Sequence, residues 1–199
     1  MGYVAHDWGR GFNIGPQGEI DAWLGDLARH VLELTGARRE TVSLIGWSLG
    51  GIYAREIARA APQHVRRVIT LGSPFGGDLK SNVVWPMYES ITGTRIDGIP
   101  PDVLARMNQP LPVPSTAIYS RTDGVVAWHS CIDEEAPRSE NVKVPGSHIG
   151  LLHNPAALYV VADRLAQPPG THEPFRPPVW LRAFASTGPW RRPRHGADR

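Results

Sequence analysis

The stretch SLIGWSLGGIYA, residues 43–54, sets one serine between glycines, with an apolar run before it and an amphipathic run after it. The run VSLIG, 42–46, is apolar and short and reads as a buried strand. From Leu49 onward, Leu49, Tyr53, Ile57 and Ala60 fall on one helical face, and Arg55 and Arg59 fall on another; Pro62 ends the run. Ser48 therefore occupies a sharp strand-to-helix turn. Such a turn strains the backbone at the serine and demands small residues where strand and helix nearly collide. Gly46 and Gly50, two positions to either side, are read as meeting that demand, with Gly51 adding slack. In this context the G-x-S-x-G pattern marks Ser48 as a candidate nucleophile, the alternative being a hydroxyl in a structural turn. The N-terminus of the following helix favours negative charge, and the amide of Leu49 is placed to donate to an oxyanion.

A neutral hydroxyl is a weak nucleophile and needs a base that is itself held by a third group. Two later strands offer candidates at their carboxyl ends. STAIYS, 115–120, runs into RTDGVV, which puts Asp123 just past a strand end. Asp123 is read as the acid; an ordinary Asp-Gly turn is the alternative. NVKV, 141–144, runs into PGSHIGLLHNP, which puts His148 in a loop with Pro145, Gly146 and Gly150. His148 is read as the base in preference to His153, which immediately precedes a capped helix. His64 and His129 follow no strand end and are read as surface residues.

The remaining elements give the fold class. Ile20, Trp23, Leu24, Leu27, Val31 and Leu34 recur at helical spacing, with Gly36 as the stop. VRRVITLG, 65–72, is another strand, and Tyr3-Val4-Ala5 is a short first apolar run. A last helix has Asn154 as cap, Pro155 at its first position, then Leu158, Val161, Ala162 and Leu165 at core spacing. Strands alternating with helices predict an α/β protein, a mostly parallel sheet with helices on both faces. Residues 1–167 form the expected domain. Residues 74–114, rich in Pro and Gly with an apolar patch from Val83 to Tyr88, read either as a lid insertion over the strand ends or as a long connection. Residues 168–199 hold seven prolines and six arginines with little periodicity and read as a largely disordered tail, with Trp180 and Phe184 making one local contact.

Taken together, SLIGWSLGG, YSRTDGVV and VPGSHIG resemble the α/β-hydrolase superfamily, in particular bacterial serine esterases and lipase-like hydrolases. GSPFGG, 72–77, resembles the segment where such chains enter the lid region. The resemblance covers about residues 1–167. It implies an α/β-hydrolase fold with Ser48 as nucleophile, His148 as base, Asp123 as orienting acid and the Leu49 amide in the oxyanion hole. The implied reaction is cleavage of a carboxylic ester through an acyl-enzyme. Acyl transfer by the same triad and a non-catalytic domain of the same fold are the alternatives. VAHDWGRG, 4–11, resembles the aspartate elbow of haloalkane dehalogenases and epoxide hydrolases. A turn and not a helix follows Asp7, so Asp7 is read as lying at a strand end near the site edge. Members of the superfamily have further strands upstream, and a loop after one of them, often His-Gly or Pro-Gly, supplies a second oxyanion N–H. No such loop precedes Ser48, so the expected fold is N-terminally incomplete, with a true start upstream, a fragment, or a site rebuilt from Gly9 to Gly18.

Composition narrows the remaining classes. The chain has 199 residues, 41% of them hydrophobic and 20% charged, ordinary values for one globular domain. A net charge of +2 predicts no nucleic-acid partner. The single cysteine, Cys131, forms no intrachain disulfide. No apolar run approaches the roughly 20 residues of a membrane helix, so no stable membrane insertion is expected, and there is no signal pattern. His6 stands where a myristoylation motif wants Ser or Thr. The expectation is a cytoplasmic enzyme with a small-molecule ester substrate, no cofactor and no metal; the sequence leaves its oligomeric state open.

Overall fold

The computed structural model describes residues 3–11, 13, 15, 20–36, 40–76 and 105–188. Helix α1 spans Ile20–Gly36. Strand β1 (Val42–Trp47) leads through Ser48 into α2 (Leu49–Ala60), which returns the chain to β2 (Val65–Leu71). Strands β3 (Ser115–Tyr119) and β4 (Ser139–Lys143) follow, then α3 (Pro155–Ala166) and the two-residue β5 (Ser186–Thr187). The sheet order is β1-β2-β3-β4-β5, parallel from β1 to β4 and antiparallel at β5.

The pleat of β2 sorts the core into two layers, as a period of two requires. Val68 packs with Tyr53, Ala54 and Ile57 of α2 and with Trp23, Leu27 and Val31 of α1. Ile69 and Leu71 turn to the other face, toward Ala156, Ala157 and Val160 of α3. Helices thus cover both faces. Helix α3 starts as its sequence indicates: the Asn154 side chain accepts from the amides of Ala156 and Ala157, and Pro155 needs no donor there.

Register makes the strand ends flush. Trp47 pairs with Leu71, Leu71 with Ile118, and Ile118 with Val142. The residues just beyond that row form one rim at the carboxyl edge, where open α/β sheets place their ligands. Two buried ion pairs fix the connections. Arg55 of α2 makes a bidentate pair with Asp133, at 2.7 and 2.9 Å, and its guanidinium lies 3.7 Å above the Phe75 ring centroid. Arg164 of α3 reaches Glu140 of β4 at 2.7 Å, and Glu140 also accepts from Thr116.

Three expectations are revised. Tyr3-Val4-Ala5 is not a strand: among the described residues β1 pairs only with β2, and Val4 is exposed. A strand needs a neighbouring edge to satisfy its backbone. Residues 168–188, expected to be disordered, lie against the core as a strap. Phe175, Leu181 and Ala185 are buried, and β5 adds to the edge of β4. Proline forbids regular helix there but not close packing of an extended chain. Residues 189–199, and residues 77–104 of the expected lid, lie outside the described residues.

The third revision concerns the glycines of the turn. A Cβ on Gly46 would stand 2.4 Å from Gly50 O and from the N and Cα of Gly51. A Cβ on Gly51 would stand 1.9 Å from Ser73 Oγ, whereas one on Gly50 meets nothing within 4 Å. Gly46 therefore lies against the backbone of both Gly50 and Gly51, but of the two helix glycines Gly51 lacks room for a Cβ and Gly50 does not. Gly46→Ala is expected to lower stability by about 3 kcal/mol or more, because backbone must move. Gly50→Ala is expected to raise it by roughly 0.5–1 kcal/mol, since alanine costs less entropy in a helix. Urea midpoints of the two variants check this; equal destabilisation would contradict the contact assignment.

Candidate active site

Ser48 has φ 52° and ψ −126°, and no other non-glycine residue among those described has positive φ. An L-residue pays about 1–2 kcal/mol for left-handed backbone, so its surroundings must hold it there. The Ser48 amide donates to Leu71 O at 2.9 Å, and the Gly51 amide donates to Ser48 O at 3.0 Å. A serine at a helix start ordinarily spends its hydroxyl on a nearby amide. Ser48 makes no such cap, and its hydroxyl is left for other work. Leu49 opens α2, where the first amides have no intrahelical acceptor.

Asp123 and His148 come together. His148 Nδ1 lies 2.7 Å from Asp123 Oδ2, with the two side chains 5% and 1% exposed. The other carboxylate oxygen of Asp123 accepts from the amides of Val125 and Val126, both at 2.8 Å. An acceptor fixed in this way favours the tautomer with hydrogen on Nδ1, which leaves a lone pair on Nε2. That nitrogen is buried and has no hydrogen-bond partner, so no hydrogen bond joins it to Ser48 Oγ in this structure.

Two residues missed in the sequence tie the pair to the serine turn. Gly72, with φ 54°, follows Leu71, the residue that accepts from Ser48. A Cβ there would stand 3.2 Å from both Asp123 Oδ2 and His148 Nδ1. Only glycine lets the backbone pass so close beneath the hydrogen bond. Trp47, beside Ser48, donates its indole N–H to His148 O at 3.0 Å, and its ring centroid lies 5.0 Å from that of the imidazole. Gly72 carries a sequence signal, a glycine directly after a strand; an indole in a strand gives none.

The rival residues lie elsewhere. Asp7 accepts from the Gly9 amide in a tight turn of its own. His64 pairs with the Thr35 hydroxyl at 2.8 Å, and His129 packs edge-on against Trp128. His153 is exposed and ends the short turn before α3. No group of three or more His, Cys, Asp or Glu among the described residues is arranged to hold a metal. No helix among them is long and apolar enough to cross a membrane.

Burial alone would raise the Asp123 carboxyl, but the His148 hydrogen bond and the two amides outweigh it and hold it below the ordinary carboxylate value. A folded-state value below the unfolded one means that the ionised group favours the fold. Its contribution is complete above the unfolded value of about 4 and is lost as pH falls through the folded value. Asp123→Asn is therefore expected to flatten the acid limb of stability below roughly pH 4. Urea midpoints taken between neutral and acid pH measure this, and an unchanged acid limb would count against the shift.

No family model matches the chain. A triacylglycerol lipase of Pseudarthrobacter phenanthrenivorans is 41% identical over 75 residues, 38% of this chain and 23% of that protein. A pimeloyl-acyl-carrier-protein methyl ester esterase of Shewanella woodyi is 32% identical over 94 residues, 47% of this chain and 32% of that one. The matches thus span less than a third of the length of these curated relatives. Among solved structures, lipase B of Aspergillus fumigatus superposes with a TM-score of 0.61 at 18% identity, over 80% of this chain and 44% of that one. A Rhodococcus hydrolase of 2-hydroxy-6-oxo-6-phenylhexa-2,4-dienoate gives 0.50 at 16% identity, over 75% and 73%. With its parallel sheet, its flanking helices and these structural neighbours, the chain has the α/β-hydrolase fold.

Proposed function

We propose that this chain carries the nucleophile, base and acid of a serine hydrolase that cleaves carboxylic esters. The observation that carries the reading is Ser48: a left-handed serine with an uncapped hydroxyl, at the same sheet edge as a buried imidazole whose Nδ1 is committed to a carboxylate. The curated relatives, a triacylglycerol lipase and a methyl ester esterase, support esters as the substrate class.

Ser48 Oγ attacks the ester carbonyl carbon as its proton passes to His148 Nε2. The carbonyl oxygen becomes an oxyanion, and the Leu49 amide at the start of α2 donates to it. Collapse of the intermediate breaks the C–O bond to the alcohol, which leaves with the proton from His148 Nε2. Water then attacks the acyl-enzyme, giving one proton to His148. Collapse releases the carboxylic acid and returns that proton to Ser48. Asp123 stays ionised throughout and stabilises the imidazolium.

The reaction requires a Ser48–His148 hydrogen bond that this structure does not show; catalytic hydrogen bonds are often long or poorly aligned without substrate and tighten in the Michaelis complex. The test is hydrolysis of p-nitrophenyl acetate and butyrate, with fluorophosphonate labelling mapped by mass spectrometry. Ser48→Ala is expected to abolish labelling and to lower turnover by at least about 10³-fold, as loss of a triad member does. Equal hydrolysis by the two proteins, or a label on another residue, would overturn the proposal.

A further inference from the structure

The segment that bears His148 is a loop, not a strand or an α-helix. It runs from Val144 to Asn154 and contains Pro145, Gly146 at φ 153°, Gly150 and a single short 3-10 turn, Ile149–Leu152. Its first half is tied to the loop after β3, where Thr122 Oγ1 bonds the backbone of Gly146 at 3.2 Å, and across its own ends, where the Asn154 side chain donates to Pro145 O. Neither contact touches the serine turn. His148 is held to the acid through Nδ1, but the acid stands in the loop just past β3, two strands away from β1. The distance that proton transfer depends on runs between β1 and this loop.

One side chain spans that distance. Trp47 is the last residue of β1 and the immediate neighbour of Ser48. Its Nε1–H donates to the carbonyl of His148, the base residue itself, across 101 positions of sequence. Its ring lies beside the imidazole at 5.0 Å, tilted by 38°. Trp47 is half-buried against Ile69, Leu71 and their neighbours, so its own rotamer is fixed by packing.

We infer that Trp47 is a positioning residue, which locks the His148 backbone to the serine turn through its indole N–H and braces the imidazole with its ring. The inference rests on the ester-hydrolase reading for its kinetic consequence and on geometry alone for the clamp. Proton transfer from Ser48 makes His148 an imidazolium, and an aromatic face within about 6 Å attracts a cation. The N–H acts in every state of the cycle, whereas the ring acts most strongly when the imidazole is charged. That difference separates the two parts by mutation.

Trp47→Phe keeps a ring and removes the donor; Trp47→Leu removes both. With p-nitrophenyl butyrate, Trp47→Phe is expected to lower kcat about tenfold, the worth of one buried hydrogen bond, with KM within about twofold. Trp47→Leu is expected to lower kcat by roughly a further threefold to tenfold. Hydrogen exchange followed by mass spectrometry gives a readout free of catalysis. Amides of Ser147–Leu151 are expected to exchange about tenfold faster in Trp47→Phe, while peptides from α2 and β2 stay as in the wild type.

Each outcome decides. Faster loop exchange with a fall in kcat at constant KM supports the inference. Wild-type exchange in Trp47→Phe overturns the clamp, and a uniform rise across the chain overturns it in favour of a merely structural role. Faster loop exchange with wild-type kcat overturns the positioning role. A wild-type protein that neither hydrolyses esters nor takes the fluorophosphonate label at Ser48 defeats the ester reading, and the exchange result still decides the clamp.

Discussion

The contact between the backbones of Gly46 and Gly51 is the constraint on which the rest of the structure depends. Strand β1 ends and helix α2 begins with one residue between them, so the chain must reverse within a single peptide unit. It can do so only where two residues lack side chains, since a Cβ on Gly46 would enter the helix backbone. The residue caught in the reversal is Ser48, and its positive φ follows from that geometry. Strain of about 1–2 kcal/mol is stored in one residue. It is offset by the hydrogen bond from Ser48 to Leu71 and by the burial of α2 on β1 and β2.

The buried charges set the remaining geometry. Replacing such pairs with apolar residues is often neutral or stabilising, so they are weak evidence of stability. Their partners show what they organise. Asp133 lies in the same β3–β4 connection as Asp123, and its carboxylate accepts from Arg55 and from Ser115 while its backbone pairs with Asn141. Arg55 sits two turns along α2 from Ser48. One guanidinium thus binds the helix behind the serine to the segment behind the acid. Glu140 plays a similar part on the opposite face. It accepts from Thr116, from Arg164 and from the Phe175 amide, and so joins β3, α3 and the C-terminal strap.

Much of this could be read from the chain alone, for local reasons. Strand β1, helix α2 and the Asn154 cap announce themselves in side-chain periodicity and capping chemistry, which depend on neighbours in sequence. Asp123 and His148 were legible because each follows a strand end, and parallel strands deliver their following residues to one edge. The part that stayed hidden is tertiary. The pattern G-x-S-x-G fixes spacing but not which helix glycine must lack a side chain, and that requirement falls to Gly51. Prolines in 168–188 report only what that backbone cannot do. Phe175, Leu181 and Ala185 are buried because a hydrophobic face of the sheet lies where they pass. Tyr3-Val4-Ala5 has strand-forming residues but pairs with no strand among the described residues.

Trp47 and Gly72 show how a parallel sheet divides the work of a site. The serine, and the glycine beneath the acid–base bond, belong to backbone held by sheet hydrogen bonds and close packing, where a displacement of a few tenths of an ångström is already resisted. The imidazole belongs to a loop, and it must change charge and accept a new hydrogen bond during any proton transfer. A base left loose would lose its alignment with the hydroxyl. Holding the loop by its carbonyl at one point, and its ring by the carboxylate on one side and the indole on another, leaves Nε2 alone without a protein partner. The unpaired nitrogen is then a consequence of the arrangement: the other ring nitrogen and the carbonyl of His148 are committed, so Nε2 is the atom left free for the proton transfer proposed above.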